Sequence, residues 1–332
     1  MISRRIHPVL FVLGATALVG ALGGTAFAGE SAETSATAKA RAKVQQVTLP
    51  FQLPPQATNL GVADSSLGCP GGTTLVGGGA TFDPTTPLTT NIELFKSGPF
   101  ENSWNVRYNN NEATGQLASV AAICLKKNLK VTGEDGKPTA KSKVRQVVQQ
   151  VQLPADTATS NGVAETNVNC PGSTKLLGGG ASFSSTDPAL RVTLFESGPQ
   201  GNAWHVRYDN DGTIAQPATV TAICLKSKLK VKGGDRAAKA RSKVQQVSQQ
   251  VQLPPQAIDN GVAQFDISCP GDTKVVGGGG LFPAGSPLTT NIELFESGPR
   301  GNGWHVRFNA AGAVFQAASI HALCLRKNLK VK

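Results

Sequence analysis

The chain has 332 residues, a formal net charge of +11, and only three Trp and two Tyr residues. After residue 28, no apolar run approaches the roughly 18 residues of a transmembrane helix, which excludes a protein with helical membrane spans in its mature part. The scarcity of Trp and Tyr also leaves little aromatic surface for binding a ligand.

The first 28 residues have the organisation of a secretory signal peptide. Arg4 and Arg5 form a positively charged start, residues 9–22 are largely apolar, and Ala26-Phe27-Ala28 matches a cleavage site. The apolar stretch is too short for a membrane anchor. We therefore expect a secreted protein, extracellular or associated with the cell wall, that begins with a flexible segment at residues 29–42.

One sequence unit is written three times. Trp104, Trp204 and Trp304 mark the same position in each copy, one hundred residues apart. A unit of about 90 residues can bury its own hydrophobic core, so the pattern predicts three tandem domains. The predicted domains cover residues 43–131, 143–231 and 243–332, with linkers at residues 132–142 and 232–242.

Each copy contains the same succession of short strands. In the first copy, an alternating apolar run ends at Pro54, a Gly-Val-Ala strand follows, and a Cys-Pro-Gly turn leads into a triple glycine. Two strands then flank a Ser-Gly-Pro turn, and a last strand ends at Cys124. Period-two alternation between Gly, Pro and Asn turns predicts an all-β fold, with each copy an antiparallel β-sandwich or small barrel.

Two cysteines recur in each copy at nearly constant spacing. The pairs are Cys69/Cys124, Cys170/Cys224 and Cys269/Cys324, separated by 55, 54 and 55 positions. In an exported protein this pattern predicts one disulfide that closes each domain. A zinc site would need a tetrahedral ligand set, and no histidine recurs beside the cysteines. We therefore expect no metal and no cofactor.

The triple glycines at residues 77–79, 178–180 and 277–279 do not have the features of a phosphate-binding loop. No Gly-Lys-Ser/Thr sequence follows them, and no helix is predicted after them. Glycine inside a strand allows a bulge or the close approach of an aromatic ring. We predict that the recurring tryptophans are mostly buried against these glycines, and a ligand site is the less favoured alternative.

Residues of catalytic type change from copy to copy. His305 corresponds to Asn105, and Glu196 corresponds to Lys96. The recurring Ser-Gly-Pro serine has no recurring histidine base. Residues 209–212 resemble the start of a calcium loop, but the twelfth loop position lacks a carboxylate, so a hairpin turn is expected there. We expect no enzymatic activity.

Another recurring set has the composition of a sugar-binding platform. A tryptophan ring can stack on a sugar, while asparagine and arginine hydrogen-bond hydroxyl or carboxylate groups. The candidate residues are Asn102, Trp104, Arg107, Asn202, Trp204, Arg207, Asn302, Trp304 and Arg307. In the alternative, which we favour, Trp fills the core, Asn closes a turn and Arg pairs with a neighbouring acidic residue.

Basic residues concentrate where the copies meet. Residues 39–43, 126–145, 226–243 and 326–332, here called the basic segments, contain 22 Lys and Arg against three acidic residues, an excess of +19. Without its signal peptide the chain carries +9, which leaves −10 for the rest. The basic segments are either solvated linkers or contacts for an anionic cell-envelope polymer or polysaccharide. The predicted contact residues are Lys137, Lys141, Lys143, Lys239, Arg241 and Lys243. Nucleic acid is a disfavoured partner, because these segments contain no aromatic residues and no nucleic-acid motif.

Glutamines lie near lysines at the start of each copy, as in Gln45 and Gln46 after Lys43. They are interpreted either as the polar face of an edge strand that lysine protects from aggregation, or as substrates of an extracellular transglutaminase. The structural interpretation is favoured.

The recurring motifs resemble a domain of secreted actinobacterial proteins. They are Cys-Pro-Gly-x-Thr-x-x-x-Gly-Gly-Gly, a later Trp-x-Val, and a closing Val/Ile-x-Ala-x-Cys, and they extend over nearly all of the mature chain. The resemblance implies export and a β-fold, without an activity. Taken together, the sequence predicts a secreted, non-enzymatic binding or structural component of the cell surface or extracellular matrix. A lectin-like carbohydrate-binding protein, a transglutaminase substrate and an extracellular inhibitor are the alternatives.

Overall fold

The computed structural model describes residues 39–83, 91–132, 139–157, 160–183, 192–232, 239–283 and 292–331. The predicted signal peptide at residues 1–28 lies outside these ranges, as do residues 29–38 and the linker residues 133–138 and 233–238. The described chain is all-β, as predicted, and its only helices are two short 3-10 turns at Asn59–Gly61 and Asp259–Gly261. Within the described residues, no helix is long and apolar enough to cross a membrane.

The strands follow the sequence repeat. Repeat 1 contains β1 (Lys39–Arg41), β2 (Val44–Leu53), β3 (Val62–Gly68), β4 (Thr73–Phe82), β5 (Ile92–Phe100), β6 (Ser103–Asn110), β7 (Gln116–Lys126) and β8 (Asn128–Thr132). Repeat 2 contains β9 (Thr139–Lys141), β10 (Val144–Leu153), β11 (Asp156–Thr157), β12 (Ser160–Asn161), β13 (Ala164–Asn169), β14 (Thr174–Phe183), β15 (Val192–Gln200), β16 (Ala203–Asn210), β17 (Gln216–Lys226) and β18 (Lys228–Lys232). Repeat 3 contains β19 (Lys239–Arg241), β20 (Val244–Leu253), β21 (Val262–Ser268), β22 (Thr273–Leu281), β23 (Ile292–Arg300), β24 (Gly303–Ala310), β25 (Gln316–Arg326) and β26 (Asn328–Val331).

Each repeat folds into two three-stranded antiparallel layers that pack on each other. In repeat 1, β2-β7-β4 form one layer and β5-β6-β3 form the other. Alternate side chains of a strand point to the same face, so Trp104, Val106 and Tyr108 of β6 all enter the space between the layers. None of the three is more than 2% exposed. The alternating pattern predicted the sandwich because the apolar side chains of each strand lie on the face that is buried between the two layers.

One disulfide joins the two layers of each repeat. The bonds Cys69–Cys124, Cys170–Cys224 and Cys269–Cys324 confirm the predicted pairing, with Cα atoms 5.7, 5.6 and 5.6 Å apart. In repeat 1, Cys69 follows β3 of one layer and Cys124 lies in β7 of the other. In the chain-entropy model, closing a loop of this length stabilises the fold by roughly 4 kcal/mol.

The layers of neighbouring repeats join at their edges into three six-stranded sheets. β4 of repeat 1 pairs with β23 of repeat 3, β14 pairs with β5, and β22 pairs with β15. The joining residue pairs are Ala80↔Ser297, Ala181↔Ser97 and Gly280↔Ser197. The three repeats thus form one compact unit, in which every sandwich is completed at its inner edges by its two neighbours.

The triple glycines bring the backbones of the three repeats into contact. A Cβ built on the first glycine of each triplet would overlap a carbonyl oxygen of another repeat. The overlapping pairs are Gly77 with Val276, Gly178 with Val76, and Gly277 with Leu177. Since any side chain would separate these strands, glycine is required for the repeats to meet.

The middle glycine of each triplet lies against a tryptophan ring. The space that a Cβ would occupy on Gly78, Gly179 or Gly278 is filled by ring atoms of Trp104, Trp204 or Trp304, respectively. Each of these tryptophans is 2% exposed. The prediction that the tryptophans are buried against the glycine strand is confirmed.

The ends of the repeats form a fourth sheet, which closes into a six-stranded barrel of order β1-β26-β19-β18-β9-β8. We call it the basic barrel. Its interior is filled by Ala40, Leu129, Ala140, Leu229, Ala240 and Leu329, none more than 1% exposed. The barrel includes residues 139–141 and 239–241, predicted above to be linkers, and residues 39–41, predicted above to be part of a flexible N-terminal segment, because Ala40, Ala140 and Ala240 fill its interior. It is closed where β1 pairs with β26, near the two ends of the described chain.

Substitution of Gly79 tests the contact between repeats. A Cβ at Gly79 would overlap the Ser297 carbonyl oxygen, whereas a Cβ at Gly71 meets no atom within 4 Å. We expect Gly79→Ala to lower the free energy of unfolding by roughly 1–3 kcal/mol, because the overpacked sheets must move apart. Gly71→Ala is the control and should leave it nearly unchanged. Equal unfolding free energies for both variants in urea titrations would contradict the close contact.

Substitution of Trp204 tests whether the repeats unfold together. Trp204→Ala should lower the free energy of unfolding by about 3–5 kcal/mol, because it empties a core site. Since each sheet joins two repeats, we expect differential scanning calorimetry to show one transition that moves as a whole. Separate transitions, of which only one moved, would show that the sandwiches are energetically independent.

Candidate functional site

The basic barrel displays cations over its outer face. Along its strands small apolar residues point inward, so the residues between them point to solvent. Eight of these outward residues are exposed Lys or Arg: Arg41, Lys130, Lys141, Lys228, Lys230, Lys232, Lys239 and Arg241. The six strands contain no Asp or Glu. The barrel therefore concentrates positive charge at one end of the molecule.

The predicted contact residues for an anionic surface belong to this region. Lys141, Lys239 and Arg241 lie in barrel strands and are exposed, and Lys143 and Lys243 are exposed directly beyond them. Lys137 lies outside the described residues. The sequence identified these cations but did not predict that both junctions would contribute to one barrel.

The proposed sugar platform is not formed at the surface. Trp104, Trp204 and Trp304 are buried in the sandwich cores, where each indole Nε1–H donates to a serine Oγ at 3.0–3.2 Å. Those serines belong to the recurring Ser-Gly-Pro sequence, at Ser97, Ser197 and Ser297. A ring that is 2% exposed cannot stack on a sugar, so the packing alternative is correct for tryptophan.

The recurring asparagines hold the turn next to the disulfide. Asn102 Oδ1 accepts from the Leu75 backbone N–H at 2.9 Å, and Asn102 Nδ2 donates to the Cys69 carbonyl at 3.4 Å. Asn202 and Asn302 make the same two bonds in their own repeats. Their amides are thus used by the backbone, as the packing alternative predicted.

The recurring arginines lie on the opposite face of the strand from the tryptophans. Two of these arginines are buried in close ion pairs. Arg207 Nη1 lies 2.6 Å from Glu196, and Arg307 Nε lies 3.2 Å from Glu296. Arg107, also buried, has a longer pair with Asp64, at 3.8 Å. Trp, Asn and Arg therefore point in different directions and do not converge on one ligand.

The buried glutamates tie one repeat to the next. Glu196 accepts from the Phe282 N–H of repeat 3 at 3.0 Å, and Glu296 accepts from the Phe82 N–H of repeat 1 at 3.1 Å. Burial raises the pKa of Glu196 and lowers the pKa of its neighbour His205. Repeat 1 has Lys96 at the corresponding position. The residue at this position thus differs between copies because the contact that it makes with another repeat differs. The same difference was the reason to expect no catalytic site here.

Acidic residues lie at the end of the sheets remote from the barrel. Burial, with Glu93 nearby, raises the pKa of Glu293 to about 7. Burial, with Asp211 and Asp156 nearby, raises the pKa of Asp209 to about 7. Among the described residues, no group of three or more His, Cys, Asp or Glu is placed to hold a metal ion.

The repeated glutamines lie on edge strands. β2, β10 and β20 are the edge strands of the three large sheets, and residues such as Gln45, Gln149 and Gln250 are exposed on them. Gln46 and Gln246 also reach across to another repeat, where they donate to the Pro299 and Pro199 carbonyls at 3.5 and 3.1 Å. The polar-edge interpretation therefore agrees with their positions, and cross-linking stays a prediction.

No family model matches the chain, and a search of the curated proteins finds no match. The resemblance to the secreted actinobacterial domain therefore stays a prediction.

The raised pKa of Glu293 predicts a pH-dependent stability. A carboxyl group whose folded pKa is raised stabilises the fold while it is protonated, and this contribution is lost as the pH rises from about 4.5 to about 7. Glu293→Gln should therefore raise the free energy of unfolding at pH 8 by on the order of 1–2 kcal/mol and change it little at pH 4. Thermal unfolding at the two pH values measures this. The exposed Glu101→Gln is the control, and a gain from Glu293→Gln that is equal at both values would contradict the assignment.

Proposed function

We propose that the protein is a secreted, non-enzymatic component of the cell surface that binds an anionic polymer through the basic barrel. The single observation that carries this proposal is the outer face of the barrel, which has eight exposed cations and strands without an acidic residue. A patch of one charge attracts polyanions and raises their rate of encounter. The three disulfides indicate an oxidising environment, which agrees with export.

The barrel is a more ordered binding surface than a set of flexible linkers would be. Its cations sit on paired strands with a filled interior, so their backbone positions are fixed before any ligand arrives. Prior ordering lowers the entropy that binding must overcome. All three repeats contribute strands, so one extended polymer can contact several segments at once.

The competing partners have less support. A carbohydrate-binding role would need a site other than the Trp-Asn-Arg residues, whose tryptophans are buried. Sequence-tolerant binding of single-stranded nucleic acid uses aromatic rings that stack on bases, and the barrel strands contain no aromatic residue. A polymer recognised by its charge is the partner that best fits this surface.

Retention on an anionic polymer tests the proposal. Attraction between exposed charges acts over about 8–10 Å at ordinary ionic strength and weakens with salt. Binding to an immobilised polyanion should fall steeply between low and high salt. It should also fall when Lys137, Lys141, Lys143, Lys239, Arg241 and Lys243 are changed together to Gln, while circular dichroism shows an unchanged fold, because exposed charges contribute little to stability.

An uncharged polysaccharide on the same support is the control for this experiment. Retention that did not depend on salt or on the six substitutions would reject the electrostatic proposal. Hydrolysis or chemical modification of the polymer by the wild-type protein would reject its non-enzymatic part.

A further inference from the structure

A cavity beside the basic barrel is lined mainly by cations. It has a volume of about 580 Å³, and six of its nine lining residues are Lys or Arg: Arg41, Lys43, Lys126, Lys130, Lys274 and Lys327. No acidic residue lines it. A volume of this size lies within the range of about 300–1,000 Å³ that is usual for small-molecule sites. The cavity thus has room for a compact ligand as well as for a segment of a polymer.

Closure of the chain assembles this cavity. Arg41 and Lys43 come from the first strand and its junction, Lys126 and Lys130 come from the end of repeat 1, and Lys274 and Lys327 come from repeat 3. The Ala42 N–H donates to the Lys327 carbonyl at 2.7 Å, which fixes the two ends of the chain against each other. The Lys327 N–H in turn donates to the carbonyl of Asp272, a residue that does not line the cavity.

Repeat 2 has a smaller and less basic cavity at the start of its long edge strand. Its cavity has a volume of about 410 Å³ and is lined by Lys143, Arg145 and Lys226 together with uncharged residues. At the next junction, the Ser142 N–H donates to the Lys127 carbonyl in the same way as Ala42 to Lys327. The residues there that are equivalent to those of the six-cation cavity also include several lysines, with Thr74 in place of Lys274.

The composition of the cavity selects among anions. Like charges held around a concave wall repel one another, and a bound multivalent anion relieves that repulsion. Arginine forks bind planar carboxylates and phosphates in two-point contacts, whereas a lysine ammonium is a compact point charge that also binds phosphoryl oxygens and does not require a planar partner. Five of the six cations here are lysines. The set favours a compact group of high charge density over an extended polycarboxylate.

We propose that this cavity is a specific site for a ligand with two or more phosphoryl groups. The inference rests on the proposed function and deepens it, since it names the chemistry of the anion. The phosphoryl groups belong either to a segment of a phosphodiester polymer of the cell envelope or to a free short-chain polyphosphate.

Calorimetric titration of the full mature chain with tripolyphosphate tests the site. At about 150 mM salt, where long-range attraction is screened, we expect saturable binding of tripolyphosphate in the cavity. Changing Lys43, Lys126, Lys274 and Lys327 together to Gln should weaken it by about tenfold or more. The charge-matched control changes Lys141, Lys230, Lys239 and Arg241 to Gln, outside the cavity, and should weaken it by less than about threefold.

Two results would overturn the proposal. One is an equal loss of affinity in the cavity variant and the control, which would mean that only total charge matters. The other is binding of the tricarboxylate citrate as tightly as tripolyphosphate. Competition between tripolyphosphate and poly(glycerol phosphate) separates the two sources. If the cavity binds a segment of the polymer, poly(glycerol phosphate) should displace tripolyphosphate. If it binds only free polyphosphate, the polymer should not displace it.

The same variants distinguish the proposed phosphoryl site from the broader proposal that the basic barrel binds anionic polymers. If the wild-type protein is retained on polyanions in a salt-dependent way but does not bind tripolyphosphate, the specific site is rejected and the proposed function stands. If neither ligand binds, both are rejected. Loss of tripolyphosphate binding in the cavity variant, with retention on polyanions largely kept, supports both.

Discussion

The three glycine strands lie so close together that no side chain fits between them, and the rest of the molecule depends on this contact. With carbonyl oxygens of one repeat against the Cα positions of the next, the edge strands of neighbouring sandwiches can pair. The bare middle glycine of each triplet also makes room for a tryptophan. The close approach of the backbones, the pairing of the sheets and the filling of the core by tryptophan therefore all depend on the same glycines. A single methyl group on these glycines would disturb all three.

Joining the sandwiches at their inner edges determines where the ends of each repeat go. All six end strands emerge at one end of the molecule, where they pair into the basic barrel. The apolar residues of these short strands fill the barrel, which forces the intervening lysines and arginines outward. The acidic residues with raised pKa values lie at the other end. Basic segments that are far apart in the sequence thus come together in one barrel.

The differences between copies have a structural meaning in this arrangement. Glu196 and Glu296 accept hydrogen bonds from another repeat, whereas Lys96 occupies the equivalent place in repeat 1. Lys274 lines the six-cation cavity, whereas Thr74 occupies the equivalent position in repeat 1. Three copies of one sequence can differ in this way because each contact between repeats is a separate environment.

The sequence by itself determined the strands, the disulfides and the burial of tryptophan. These follow from local alternation, from cysteine spacing and from the pairing of an aromatic ring with glycine, all of which repeat within one copy. It also identified the cations of the proposed anionic-surface site but placed Lys141, Lys239 and Arg241 in linkers, because strands of three to five residues carry little signal of their own. Only the tertiary structure decided that the sheets pass between repeats and that the linker ends form a barrel. Such features depend on contacts between residues about one hundred or more positions apart, for which the pattern within a single copy holds no information.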